Sequence, residues 1–178
     1  MGLAELFEDI RFGVYQMRNH PTHFNFYFRG TLASLKGVLD YLLEEYNVRF
    51  NLGISADEDL NVRAFSNKAT NMNNKDAIEF IGDYKKTKET LLEDEKVKLL
   101  LGQHGVRDQE IHRKHLPLNI DVKLIDTLGN RNGLGSSQPT FSFFLKAWPN
   151  DDIPTLCEYV SAELAKAVAL LDTEYPAT

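Results

Sequence analysis

The chain has 178 residues, a formal net charge of −6, 43% hydrophobic residues and 26% charged residues. This is the balance of a folded globular protein long enough to bury a core, and it reads as one domain over residues 1–178. The acidic excess argues against broad, nonspecific nucleic-acid binding, which relies on Lys and Arg, but leaves room for a small basic cleft. No apolar run approaches a membrane span, and the first residues lack the basic start and apolar core of a signal peptide. A single cysteine, Cys157, permits no internal disulfide, so the expectation is a cytoplasmic protein with no membrane contact.

The first segment predicts an amphipathic helix, with Leu3, Leu6, Phe7, Ile10, Val14 and Met17 at the spacing of one helical face. Asn19 to Pro21 breaks it, and Thr22 is the expected N-cap of a second, longer helix. That helix carries Phe24, Phe28, Leu32, Leu35, Val38, Leu39, Leu42 and Tyr46 on a wide stripe, and should pack antiparallel to the first. The stretch 51–74, rich in Asn, Asp and Ser, reads as an exposed connection with a short helical piece around Leu60 to Phe65. Helical periodicity returns at Asp76, with Ile78, Ile81, Tyr84, Leu91 and Leu92, and continues through Val97, Leu100 and Leu101 until Gly102 and Gly105 interrupt it.

After Pro117 the period changes. Leu118, Ile120, Val122 and Leu124 alternate with polar residues, a glycine-rich loop follows from Thr127 to Pro139, and Thr140 to Trp148 alternates again. These segments predict a long-looped β-hairpin over 118–148. The loop lacks the Lys-Ser/Thr of a phosphate-binding loop. Asp152 then caps a final helix over 151–174, bearing Leu156, Cys157, Val160, Leu164, Val168 and Leu171 on one face. The expected fold is mainly α: an antiparallel helical bundle (1–117) with an added C-terminal β-hairpin and a final helix.

Chemistry concentrates in Arg107-Asp108-Gln109-Glu110-Ile111-His112. A permanently charged guanidinium near an imidazole that titrates close to neutrality suits phosphodiester cleavage without a metal. His104, Arg113, Lys114 and His115 gather around it, making this the one place where histidine and positive charge concentrate together. Arg107 should lie in the first turn of a helix, near backbone N–H groups that favour anions. Arg29 and Lys36 are candidates to line the same cleft from the second helix. The same residues also read as a solvated helix face with a local ion pair. Arg18-Asn19-His20-Pro21-Thr22-His23 matches the motif by spelling, but Pro21 interrupts it at a helix break. The histidines have no metal-site spacing, so neither a metal nor a cofactor is expected. Cys157 reads as core.

Arg107-Asp108-x-x-x-His112 resembles the R-[N/D]-x-x-x-H form of the motif of HEPN domains (higher eukaryotes and prokaryotes nucleotide-binding). The stretch His23-Phe24-Asn25-Phe26-Tyr27-Phe28-Arg29-Gly30-Thr31-Leu32-Ala33-Ser34-Leu35 is similar to the long early helix of bacterial HEPN-like proteins. The resemblance covers roughly Leu3 to Pro117. It implies a bundle that dimerises so that two motif helices face one cleft, and a metal-independent endoribonuclease of toxin or defence type, paired with a neutralising antitoxin protein. In that picture His112 is the general acid or base and Arg107 stabilises charge on the phosphoryl group, while Asp108, four residues before His112, holds the imidazole. Arg113, Lys114, His104, His115 and Arg29 would bind the RNA. Arg107 and His112 diverge on a single helix, so a homodimeric composite site is required. The alternative is a non-catalytic module of the same fold that binds a nucleotide, RNA or another protein.

Overall fold

The computed structural model describes residues 2–55, 60–103, 105–106, 118–125, 138–146 and 148–176, with the backbone alone where it describes 118–140. Its elements are α1 (Leu3–Asn19), a 3₁₀ turn (Pro21–His23), α2 (Phe24–Arg49), α3 (Val62–Asn71), α4 (Lys75–Glu93), α5 (Glu95–Leu101), β1 (Leu118–Ile125), β2 (Gln138–Leu145) and α6 (Ile153–Glu174). Most described residues are helical. No helix among them is long and apolar enough to cross a membrane.

α1 buries Leu6, Ile10, Val14 and Met17, the face its periodicity predicts. It runs antiparallel to α2, because Gly37 faces Leu6 while Gly13, further along α1, faces Thr31. The approach at Gly13 is close enough that a methyl group there would collide with the Thr31 hydroxyl. Thr31, buried at this crossing, donates to the Tyr27 carbonyl at 2.8 Å, so its hydroxyl is satisfied. Thr22 is not the N-cap of α2. It lies inside the 3₁₀ turn, and His23 occupies the cap position without a side-chain hydrogen bond. Pro21 explains this: its fixed φ and missing N–H suit the first position of a helical turn, so tight turning begins before Thr22.

The Asn-rich connection is more ordered than its composition suggests. Leu52, Ile54, Phe65 and Ala69 are buried, and the helix within it runs over Val62–Asn71. The asparagines do specific work on the backbone. Asn51 and Asn73 adopt positive φ of 50° and 51°, a region asparagine tolerates better than most residues. Asn61 caps α3 and Asn74 caps α4, each accepting backbone N–H bonds. Buried Asn47 bonds both the N–H and the carbonyl of Ile54, pinning the connection onto α2.

The helix expected from Asp76 through Leu101 is two helices. Asp94, in extended backbone, ends α4 and caps α5 by accepting from Lys96 and Val97 N–H at 2.9 and 3.0 Å. The interior face of α4 is set by Ala77, Phe80, Ile81 and Tyr84, and Ile78 points outward. β1 and β2 pair antiparallel, in register from Leu118 opposite Leu145 to Ile125 opposite Gln138. On β2, Phe143 and Leu145 turn inward, and the Phe143 ring stacks on Phe24 of α2 with centroids 3.8 Å apart. Asp152 caps α6, accepting from Thr155 N–H, and Leu156, Cys157, Val160, Leu164 and Leu171 form its buried stripe.

Two hydrophobic clusters result. The first joins α1, the N-terminal half of α2, α5, Val106, β2 and the first turns of α6. The second joins the C-terminal half of α2, Leu52, Ile54, α3, α4 and Leu171. Both long helices α2 and α6 contribute to each.

Candidate functional site

His104, Arg107, Asp108, His112, Arg113, Lys114 and His115 lie outside the described residues. The chain on either side of Arg107–Pro117 is placed. Val106, 4% exposed, belongs to the first cluster with Phe24, Phe28, Val97 and Leu100. Leu118 pairs with Leu145 of β2, which is buried in that same cluster. Both described flanks of the segment thus connect to the first cluster. The look-alike Arg18–His23 is pulled apart. Arg18 makes a two-pronged ion pair with Glu158 of α6 at 2.6 and 2.8 Å, whereas His23 closes the turn into α2.

Arg29, on the first part of α2, is the predicted binding residue that the structure places. It is exposed and lines a groove of 540 Å³ between α1 and α2, with Asp9, Phe12, Gly13, Phe26, Tyr27, Gly30, Thr31 and Ser34. The groove follows from helical phase. Phe24 and Phe28 face inward, so Phe26, two residues off that phase, must face out. Phe12 and Phe26 are 58% and 74% exposed, and Tyr27 is half-buried between them. The Tyr27 ring meets Phe12 edge-on at 6.4 Å and Phe26 edge-on at 5.3 Å, the arrangement aromatic quadrupoles favour. His20 lies 6.4 Å from the same ring.

One run of these two helices is free of acids. From Ile10 to Leu39 there is no Asp or Glu, although the chain holds 26 of them, and Arg11, Arg18, Arg29, Lys36, His20 and His23 all fall there. Arg11 pairs with Glu8 and Lys36 with Asp40, both toward solvent. Sequence reading missed Phe12, Phe26 and this acid-free run. The run is countable in the sequence, and the helical phase of Phe26 is readable there too.

Two polar networks elsewhere hold the bundle together. Lys96 Nζ sits 4.7 Å from the Tyr159 ring centroid and 2.8 Å from Asp151, which also accepts from the Trp148 indole at 2.9 Å. Burial pushes the Asp94 carboxyl up, but the Tyr159 hydroxyl at 2.7 Å and the Val97 and Lys96 amides pull it down further, so it rests below its ordinary value. Tyr159 is correspondingly pushed up to about 12, chiefly by that bond. In the second network the Tyr46 hydroxyl donates to Asp172 at 2.8 Å, beside Arg49, which also pairs with Glu45 and Asp172. Burial first, then Asp172, holds Tyr46 above its ordinary value. These charges face one another, an arrangement suited to joining helices more than to holding a ligand. Cys157 is fully buried, and burial raises its thiol, as a core residue requires. Among the described residues no group of three or more His, Cys, Asp or Glu side chains could hold a metal ion. No protein-family model matches the chain, no curated protein matches its sequence, and no solved structure matches its fold.

Proposed function

We propose that this protein is a HEPN-like, metal-independent endoribonuclease of toxin or defence type, acting as a cytoplasmic homodimer whose two motif segments share one cleft, with β1 and β2 forming a hairpin. One observation supports the reading: Val106, just before the segment holding Arg107 and His112, and Leu145, the strand partner of Leu118 just after it, both belong to the cluster built on α1 and the first half of α2, whose run from Ile10 to Leu39 carries no Asp or Glu. That run is the longest stretch without a carboxylate in an acidic chain. In this mechanism His112 takes the proton of the ribose 2′-hydroxyl as its oxygen attacks phosphorus. The P–O5′ bond breaks, and His112 of the second copy protonates the leaving oxygen. Arg107 neutralises charge building on the phosphoryl oxygens, and Asp108 orients the imidazole. His104, Arg113, Lys114, His115 and Arg29 hold the strand. A neutralising antitoxin protein would be its natural partner.

The test is incubation of purified protein with RNA in EDTA. Cleavage by the parent chain, lost in both Arg107→Ala and His112→Ala, supports the reading, and unchanged activity in those variants overturns it. The exposed aromatic groove favours one second reading, a non-catalytic module that binds a nucleotide or RNA, marked by binding without turnover.

A further inference from the structure

We infer that the groove between α1 and α2 is the face through which two copies of this chain meet, with Phe12 of each copy seated on the bare backbone at Gly30 of the other. The inference rests on the homodimer of the reading above and names the surface that makes it. Charge, shape and area each point to a second copy.

The groove carries one cation and one acid, Arg29 and Asp9, which cancel. On the same two helices Arg11, Arg18 and Lys36 are matched by Glu8, Glu158 and Asp40. A polyanion needs an excess of cations, and a basic partner an excess of acids. A surface with neither excess is complementary to a surface like itself. With a net charge of −6, two copies also repel least where acids are scarce, and the run from Ile10 to Leu39 holds none.

Shape gives the register. A methyl group at Gly13 would collide with the Thr31 hydroxyl, so Gly13 and Thr31 lie at one level of the antiparallel pair. Phe12 and Gly30, each one residue away, therefore sit at nearly the same level on opposite walls of the groove. A two-fold axis along the groove exchanges the walls without sliding them, and so lays each Phe12 on the partner's Gly30. Phe26 lies four residues before Gly30 on α2, and Tyr15 lies three residues after Phe12 on α1. Because the helices are antiparallel these steps run the same way, so Phe26 comes to the level of the partner's Tyr15.

Gly30 fits the same arrangement. A glycine within a helix is destabilising relative to alanine. A methyl group here would meet nothing within 4 Å, so packing inside one copy gives no reason for glycine. A ring entering from a second copy does, because it needs that space. Area agrees as well. Phe12, Tyr15 and Phe26 are 58%, 61% and 74% exposed. Aromatic side chains bury roughly 150–250 Å² each, so the open parts of these three amount to about 400 Å². A stable interface hides about 800 Å² on each partner, so the three rings supply about half of one side.

The test is analytical ultracentrifugation over a range of concentrations. The parent chain should sediment as a dimer. Gly30→Leu and the double variant Phe12→Ala/Phe26→Ala should each raise the dimer dissociation constant about tenfold or more. All three positions are exposed and leucine is the better helix former, so circular dichroism should match the parent, which separates blockage from misfolding. Oxidation reads the register: Phe12→Cys chains mixed with Gly30→Cys chains should form a cross-linked pair that neither variant forms alone. Cys157 is buried and does not compete. Dimers of parental strength in both groove variants, or no mixed cross-link, overturn the inference and leave a homodimer through another face. A monomeric parent overturns it together with the homodimer, and binding of labelled oligouridine by that monomer gives the groove to nucleic acid. RNA cleavage in EDTA keeps the two readings apart. A monomeric Gly30→Leu that has lost cleavage supports both. A monomeric Gly30→Leu that cleaves like the parent keeps the groove as the dimer face and removes the shared cleft. Cleavage lost in His112→Ala, with both groove variants still dimeric, does the reverse.

Discussion

The two hydrophobic clusters are built from the same two long helices, yet they are held by different chemistry. The second is aromatic and tied by tyrosine hydroxyls. Phe80 touches the rings of Tyr46, Phe50, Phe65, Tyr84 and Tyr175, while the Tyr46, Tyr84 and Tyr175 hydroxyls donate to Asp172, the Leu39 carbonyl and Asp83. The first is largely aliphatic. Its polar ties are carboxylates, with Asp94 capping α5 and receiving Tyr159, and Asp151 receiving Lys96 and Trp148. The difference is one of balance: three tyrosine hydroxyls tie the second cluster and one, Tyr159, the first, while the carboxylates Asp94 and Asp151, held below their ordinary values, lie at the first.

The largest expected effect is at the aromatic end. Phe80→Ala should destabilise the fold by about 4 kcal/mol, because the ring is fully buried and its five neighbours cannot all collapse into the space. Phe143→Ala should cost less, about 2–3 kcal/mol, since one face of its site is a strand at the edge of the core. Equal losses in urea unfolding would contradict the asymmetry. Next, Tyr46→Phe and Asp94→Ala should each cost about 1–2 kcal/mol, the first by removing one of the two donors to Asp172, Arg49 being the other, and the second by removing a helix cap and the Tyr159 bond.

The pH response sharpens the comparison further. Asp94 and Asp151 sit below their ordinary values, so in the folded state they hold protons less tightly than in the unfolded chain. Their stabilisation is present above about pH 4 and is lost as the pH falls below it. Tyr46, Tyr84 and Tyr175 sit above theirs, mainly through burial, so the folded state keeps these protons longer. Their contribution holds below about pH 10 and declines as the pH rises past it. Melting temperature against pH should show the acid limb flattened in Asp94→Asn and the alkaline limb flattened in Tyr46→Phe; limbs unchanged by these variants would refute the assignment. The smallest effect belongs to Arg18→Ala at the exposed ion pair with Glu158, at most about 1 kcal/mol and reduced by salt.

How much of this could be read from residues alone depended on what each residue does. α1, α2 and α6 were legible because each lays its apolar residues on one helical face at a steady period. The stretch 51–74 was not, because its asparagines act through positive φ and capping, which leave no period, and Leu52 and Ile54 are too isolated to announce a core. The break at Asp94 was hidden for a similar reason: one cap interrupts two helices whose apolar spacing continues across it. For the site, spelling drew attention to Arg107 and His112, while the groove around Arg29 depends on phase and on charges that are missing. Phe26 reads as one more aromatic in a rich run until the inward phase of Phe24 and Phe28 is known.

Cys157 gives the two-cluster architecture a clock. The only thiol of the chain lies inside the first cluster, and burial also suppresses its ionisation, so a thiol reagent can react only when that cluster opens. The modification rate in native buffer thus counts openings of one end of the molecule. If Phe80→Ala at the far end accelerates labelling in proportion to its loss of stability, α2 and α6 transmit opening along their length and the bundle is a single cooperative unit. If the rate stays constant, the two ends breathe independently.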